Sequence, residues 1–489
     1  MTHATTRLLA VVLAVFLFDF LFWEEKMGLN VLIFTFIWLG ALCWVFPESR
    51  SSRTFQAAAG GMLLTAVMVT WHNSGAVKLA WMVSAMCAAG FAQERQVRFV
   101  WYALLQYLHS ALYTPGALVR SLAREGSAQQ SRSLRLWSSV SLGCLPFLVA
   151  LVFYGFYLVA NPKFADLSGQ FWEQIGHWFS FDISFAHLFF VVFAGFVCGG
   201  AIWQKMTEWN EPTTDFLRRV RRKFDRTYST VFPLGALRRE YQQSVVMLVM
   251  LNALLFLVNL TDIRYVWFGF DEEVQHDLKS YVHVGTYALI ASILVAMGVL
   301  FHVFRNNLNF YPKSQLLKTL SIGWLIQNGV LAFSVAVRNW RYIDFHGLAY
   351  KRIGVFLFLA LVFVGLVTLW LRIRDQRNSF WLWQWNGWAL YALLLLNACV
   401  SWDVLITRYN LSGRPRSTVD VEYMIHEISS KNLYVLEEKM EQLEQVEAYP
   451  PIDTSEIKKA VAQKREYFNG DQQGFSWKSW NGADARNVR

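Results

Sequence analysis

Between Ile353 and Leu371 the chain carries no charged side chain. A bilayer core about 30 Å thick is crossed by roughly 20 apolar residues in helical form. Lipid offers the backbone no hydrogen bonds, so a run of this kind has to satisfy its own peptide groups as a helix. Ten further runs recur: Leu8–Trp23, Gly28–Phe46, Phe55–Trp71, Val77–Phe91, Ser139–Ala160, Ile183–Gln204, Ser244–Leu260, Tyr281–Phe304, Leu316–Val337 and Phe380–Ser401. The sequence therefore predicts an all-α, polytopic transmembrane helical bundle of about 11 spans, followed by a small C-terminal helical extramembrane tail. Composition agrees. The chain is 55% hydrophobic and 16% charged, where soluble domains carry about 25% charge. The first run ends in Phe22-Trp23-Glu24-Glu25 without a small-residue cleavage site, so it is expected as a retained span. Phe99–Val119 is interrupted by Gln106, His109 and Thr114-Pro115-Gly116, and is expected to be interfacial or broken.

Basic residues orient such a chain, because cytoplasmic loops carry an excess of Lys and Arg. With the N-terminus inside and the spans alternating, Lys205–Arg239 alone holds as many Lys and Arg as all the outer loops between spans together. This order places the acidic loop Thr261–Ser280, the polar stretch Arg338–Arg352 and the chain after Ser401 on the outer side. Arg338–Arg352 reads as a short hairpin between two spans. It is a basic exception on the outer face, explained by lipid anchoring through Lys351 and Arg352 or by pairing with the acidic loop or the tail. The net charge of +10 thus reports topology, and nucleic acid is not an expected partner.

Three regions follow: an N-terminal transmembrane half (1–238), a C-terminal transmembrane half (239–401) and the tail (402–489). In the tail, Val421, Met424, Ile425 and Ile428, then Leu433, Leu436, Met440 and Leu443, recur at three- and four-residue steps, the pattern of two amphipathic helices. Ser455–Phe468 can form a third. Helices this short bury little alone, so they are expected to dock on the outer membrane-domain surface or on a partner. Trp477 and Trp480 read as docking or interface anchors.

No nucleotide-cradling loop, metal-binding HExxH helix or nucleophile elbow occurs. The five cysteines all sit in apolar runs without metal or disulfide spacing. No cofactor and no metal is expected. Polar residues within spans are costly and so informative. Asp19 and His187 are the ionisable ones singled out, while Asn252, Asn259, Gln327-Asn328 and Asn397 read more simply as interhelical hydrogen-bonding groups. On the outer face, topology gathers His283, Asp344, His346, Lys351, Arg352, Asp403 and Arg408, a set suited to a headgroup, a small anion or a peptide.

Three local patterns carry a family resemblance: Tyr281-Val-His283-Val-Gly285 with the following residues to Ser292, His346-Gly-Leu348-Ala-Tyr-Lys351-Arg352, and Asp403-Val-Leu-Ile-Thr-Arg408-Tyr-Asn410 with Val419-Asp420-Val-Glu-Tyr423 after it. In this order they resemble bacterial multi-pass membrane families catalogued as domains of unknown function 4173 and 4153. The resemblance spans roughly Arg239–Tyr423, reaches the terminal Ser479-Trp480-Asn481, and is weak over the first half. It implies a bacterial integral membrane protein and supplies no reaction. Val284 and Ala349 stand where the family pattern often has an acid and a threonine.

The expected function is that of a non-enzymatic envelope scaffold, sensor or accessory subunit in the inner membrane. The lipid bilayer is its first partner, and the 402–489 tail offers a surface for a protein partner or self-association. A transporter or lipid flippase is the alternative from span number. A membrane-embedded enzyme with an outer-rim site is the third.

Overall fold

The computed structural model describes residues 3–94, 97–125, 163, 166–171, 185–203, 234–268, 278–304, 307–412, 419–445 and 453–488. Among them the regular structure is helical and no strand occurs, so the all-α expectation holds. The chain divides into two compact units: unit 1 is Met1–Glu208 with Phe475–Gly482, and unit 2 is Trp209–Gly474 with Ala483–Arg489.

Unit 1 contains α1 (His3–Phe22), α2 (Leu29–Val45), α3 (Arg53–His72), α4 (Gly75–Gln93), α5 (Val100–Glu125) and α6 (Phe185–Ile202). Its core is built from large residues on α2 (Phe34, Trp38, Leu42) set against small ones on α3 and α4 (Ala58, Ala66, Ala80, Ala88). Trp81 Nε1 donates to Thr35 Oγ1 at 2.8 Å, tying α4 to α2. Where α4, α5 and α6 meet, side chains give way to backbone. A Cβ added to Gly90 would lie 2.0 Å from the Ala103 carbonyl oxygen, and one on Gly200 would lie 2.5 Å from Ala111 Cβ. Gln93 Nε2 donates to the Gly200 carbonyl at 2.5 Å, and Ser110 Oγ donates to Gln93 Oε1 at 2.8 Å. Close approach of small residues with amide glue is how helices associate in lipid, where hydrophobic burial between them drives little.

Unit 2 contains α7 (Leu234–Asp262), α8 (Leu278–Val303), α9 (Gln315–His346), α10 (Tyr350–Arg374), α11 (Ser379–Ala398) and α12 (Trp402–Asn410). The tail follows with a π-turn (Tyr423–Glu427), α13 (Leu433–Glu438), α14 (Met440–Gln445) and α15 (Thr454–Gln472). One apolar core joins α7 to α10 through residues such as Leu248, Leu300, Leu331, Leu359 and Leu369. A second collects Val421, Met424, Leu433, Leu436, Ile457, Val461 and Phe468 of the tail around Ile353 of α10 and Ile406 of α12. The tail thus docks on the ends of membrane helices of its own unit. Each such buried aliphatic contributes about 1.5–3 kcal/mol relative to exposure.

Several expectations need correction. Five helices are long and apolar enough to cross a membrane, among the described residues: α3, α4, residues Leu237–Asp262 of α7, α9 and α10. The bent pair α11 and α12, which meet at 62°, would make six. Shorter apolar helices cover Leu29–Val45, Ala186–Ile202 and Ala288–Val303, so the eleven expected spans are not all reproduced. The run Ser139–Ala160 and most of the basic Lys205–Arg239 segment lie outside the described residues. Phe99–Val119 is not broken, because α5 continues through Thr114-Pro115-Gly116. The hairpin expected at Arg338–Arg352 shrinks to Gly347–Ala349, since α9 keeps its helical hydrogen bonding to His346 and α10 begins at Tyr350. Gly347 makes that turn with φ +76°, a conformation that disfavours a side chain. In the tail, the first expected amphipathic helix is the π-turn, and the second is split into α13 and α14.

Candidate functional site

Among the described residues of unit 2, a connected polar group is centred on α12. Asp403, Thr407 and Asn410 stand at positions i, i+4 and i+7, which places them on one helical face, and all three are buried. Each holds a different element. Asp403 Oδ1 accepts from the Tyr350 hydroxyl at 2.5 Å, and Oδ2 accepts from the Ser429 hydroxyl at 2.8 Å. Thr407 Oγ1 accepts from Asn432 Nδ2 at 3.0 Å, and the same amide nitrogen reaches the Met424 carbonyl at 2.9 Å. Asn410 Oδ1 accepts from Leu348 N at 2.6 Å while its Nδ2 donates to Leu348 O at 3.0 Å, clamping the α9–α10 turn.

Arg352 strengthens the same turn. Its Nη1 donates to the His346 carbonyl at 2.7 Å and to the Gly347 carbonyl, so it caps the carbonyl end of α9. Its guanidinium lies 4.4 Å from the Tyr342 ring centroid, and that ring stacks on His346 at 4.5 Å. Tyr423 joins from the tail, its hydroxyl accepting from Tyr350 N at 3.0 Å. Lys464 of α15 donates through Nζ to the Ile428 carbonyl at 2.9 Å and to the Met424 carbonyl at 3.3 Å. Burial pushes the Lys464 ammonium down to about 8, while the Asp403 charge pulls the other way. Burial also raises the Tyr423 phenol, although the hydrogen bond from Tyr350 N opposes it.

Of the residues nominated from sequence, His346, Arg352 and Asp403 come together here. Arg408 does not. It is exposed on α12, with Nη2 3.9 Å from Glu438 Oε2 and its guanidinium 6.0 Å from the Tyr434 ring centroid. Asp344 and Lys351 are exposed on the last turn of α9 and the first turn of α10. His283 lies in α8, and its side chain is outside the described residues. Tyr350, Tyr423, Ser429, Asn432 and Lys464 were not singled out by sequence. Tyr350 and Tyr423 stood inside the quoted motifs. The i, i+4, i+7 polar spacing on α12 was the signal available for Thr407 and Asn410.

Two further polar arrangements lie within helices. In unit 1, Asp19 and His187 meet, His187 Nε2 and Asp19 Oδ1 being 2.7 Å apart, and Trp23 stacks on the imidazole at 4.2 Å. In unit 2, a polar seam runs between α7 and α9. Gln327 Nε2 donates to Asn252 Oδ1 at 2.8 Å, and Asn259 Nδ2 donates to the Gln327 carbonyl at 3.0 Å. The seam ends in Arg338 and Asp262, whose Nη2 and Oδ1 are 2.5 Å apart with both side chains under one-tenth exposed. This is the pairing with the acidic loop that sequence offered for Arg338. Among the described residues no three His, Cys, Asp or Glu side chains gather in a way that could hold a metal ion.

Chemically, the α12 cluster is a closed arrangement. Both oxygens of its one buried carboxylate accept hydroxyl hydrogens, and its cations bond to carbonyl oxygens that terminate helices. Such a set fixes backbone segments against one another. No curated protein and no solved structure matches the chain. A family model described as Domain of unknown function (DUF4153) matches residues 34–438, which reaches well into the first half, where sequence resemblance was weak, and through α12 into the tail. With its apolar helices, its docked tail and this match over most of its length, the chain belongs to the family of membrane proteins carrying the domain of unknown function 4153.

Proposed function

We propose that this protein is a non-enzymatic scaffold, sensor or accessory subunit, set in the bacterial inner membrane as a multi-pass protein. Its N-terminus is cytoplasmic and residues 402–489 lie on the outer side. The observation that carries this reading is the occupancy of Asp403. Its two oxygens serve Tyr350 and Ser429, so the strongest polar cluster is spent on holding the tail to the membrane helices. A tail held this way presents a defined surface to a protein partner or to a second copy of the chain. The test uses full-length tagged protein in native membranes. Mild cross-linking should give a discrete higher species, and Asp403→Ala should lose it while remaining membrane-inserted. A wild-type chain that stays alone would sink the proposal. A reporter fused after Arg489 should behave as periplasmic, and a cytoplasmic signal would overturn the orientation.

The transporter or flippase reading is favoured by one observation, the polar seam between α7 and α9. Purified protein reconstituted alone in vesicles decides the matter. Movement of labelled lipid or solute would replace the first reading with the second.

A further inference from the structure

Eight residues far along the chain, Phe475–Gly482, belong to unit 1 and close over its α1–α2 turn. Glu25 in that turn receives them. Its Oε2 accepts from Ser476 N at 3.1 Å and from Ser479 Oγ at 2.5 Å, and its Oε1 accepts from Ser476 Oγ at 2.5 Å. Lys478 Nζ lies 3.2 Å from Glu25 Oε1, and donates to the Phe20 carbonyl at 2.9 Å with Phe20's ring below it at 4.9 Å. Leu29 N, at the start of α2, donates to Trp480 O at 2.9 Å. Gly482 packs so closely on the end of α3 that a Cβ there would lie 2.9 Å from the Trp71 carbonyl oxygen. The end of α3 is also tied to the residues just before α2, because Asn73 Nδ2 donates to the Met27 carbonyl at 2.8 Å.

Two large side chains of this tightly held segment are more exposed than buried. Trp477 is 61% exposed and Trp480 is 51% exposed. The segment that carries them is seated, through Lys478 on Phe20 and Gly482 on Trp71, at the ends of two exposed apolar stripes. On α1 the stripe is Leu9, Val12, Leu13, Phe16 and Phe20, and on α3, a membrane-length helix, it is Leu64, Val67 and Trp71. These steps of three and four residues put each set on one helical face. Exposed stripes of this length on a membrane helix face acyl chains, and both end in an aromatic residue at the level where the segment is seated. That is the depth at which tryptophans are enriched, where the ring is buried and the indole N–H can meet headgroup oxygens.

We propose that Phe475–Gly482 is a lipid-interface anchor, which places Trp477 and Trp480 in the phospholipid headgroup region beside the ends of α1 and α3. Glu25 and Lys478 fix the segment, and the two indoles extend the aromatic rim begun by Phe20 and Trp71. The occupant of this surface is the bilayer. The seating of the segment at the ends of both lipid-facing stripes carries this choice over a protein partner.

The test incorporates a benzophenone amino acid at position 477 or 480 of the full-length chain in phospholipid vesicles. After irradiation, phospholipid adducts at both positions should exceed by several-fold those from the same probe at Tyr467, an exposed aromatic of α15. Adducts confined to polypeptide, whether a second copy or another protein, overturn the proposal, as does lipid labelling no greater than at 467. A second reading uses Trp477→Phe/Trp480→Phe, which keeps the rings. Its tryptophan emission should be quenched less than that of the wild type in vesicles of lipid brominated just below the headgroups. Equal quenching overturns the proposal.

Discussion

Two polar arrangements among the described residues of unit 2 are partnered differently. Along the α7–α9 seam, Asn252 and Asn259 each bond to a backbone carbonyl of the facing helix, and Gln327 bridges between them. The seam joins only two helices that an apolar core already holds together. On α12, each buried polar side chain holds a separate piece of chain: Asp403 takes α10 and the Ser429 loop, Thr407 takes Asn432, and Asn410 takes the α9–α10 turn. The seam joins one pair of helices and is ionic only at its end, whereas the α12 cluster is a latch, a junction of several chain segments.

The sharpest break is at the ionic end of the seam. Arg338→Ala leaves Asp262 charged and buried without this partner, and should lower stability by about 3–5 kcal/mol, read as thermal unfolding in detergent. The double change Asp262→Leu/Arg338→Met should recover most of that loss, and failure to recover would show that the pair does more than satisfy itself. Overlapping this in size is the effect at the α12 cluster. Asp403→Ala removes two hydrogen bonds to a charged acceptor, each worth about 1.5–3 kcal/mol. Its loss should appear as faster amide exchange and proteolysis across 419–472, with α7 to α9 unchanged. Uniform loosening would merge the two regions instead of separating them.

A smaller effect is expected with pH. Lys464 titrates near 8 in the folded chain and at 10.5 when solvated, so the unfolded chain binds more protons between those values. Stability of the docked tail should therefore rise as pH climbs from about 8 toward the tyrosine range, and fall back as pH drops to 8. Lys464→Met should remove this slope, and a slope that survives the change assigns it to another group. Smallest of all, Gln327→Leu should cost about 0.6 kcal/mol, the average for one such bond within a bundle. A cost several times larger would make the seam a junction like the latch.

The sequence made the apolar helices legible because their length and lack of charge are local properties. Membrane-length α3, α4, α9 and α10 coincide with runs read from residues alone. Tail positions Val421, Met424, Ile425, Ile428, Leu433, Leu436 and Leu443 are all buried as their spacing required. The π-turn at Tyr423–Glu427 was not legible, since one turn of that hydrogen bonding leaves no periodic trace. The continuation of α9 through Arg338 is not legible in the sequence, because a charge ordinarily marks the end of an apolar span. Arg338 is instead carried inside α9 by its buried partner Asp262. The latch was half legible. His346, Arg352 and Asp403 were nominated by topology, but a polar face on α12 looks the same whether it meets water or Ser429 and Asn432. Asp19 and His187 were picked out singly, and nothing short of folding joins residues separated by 168 positions.

The seating of Ser476 on Glu25 spans 451 positions of sequence. At a synthesis rate of about 5–20 residues per second, roughly 20–90 s pass between the making of the carboxylate and the making of its donors. Once Ile202 has been made, unit 1 has its helices but lacks the four groups from Ser476, Lys478 and Ser479 that later converge on Glu25. The first unit to be translated is thus among the last to be finished, and a chain that stops anywhere before Phe475 has an α1–α2 turn whose Glu25 lacks all four of these groups.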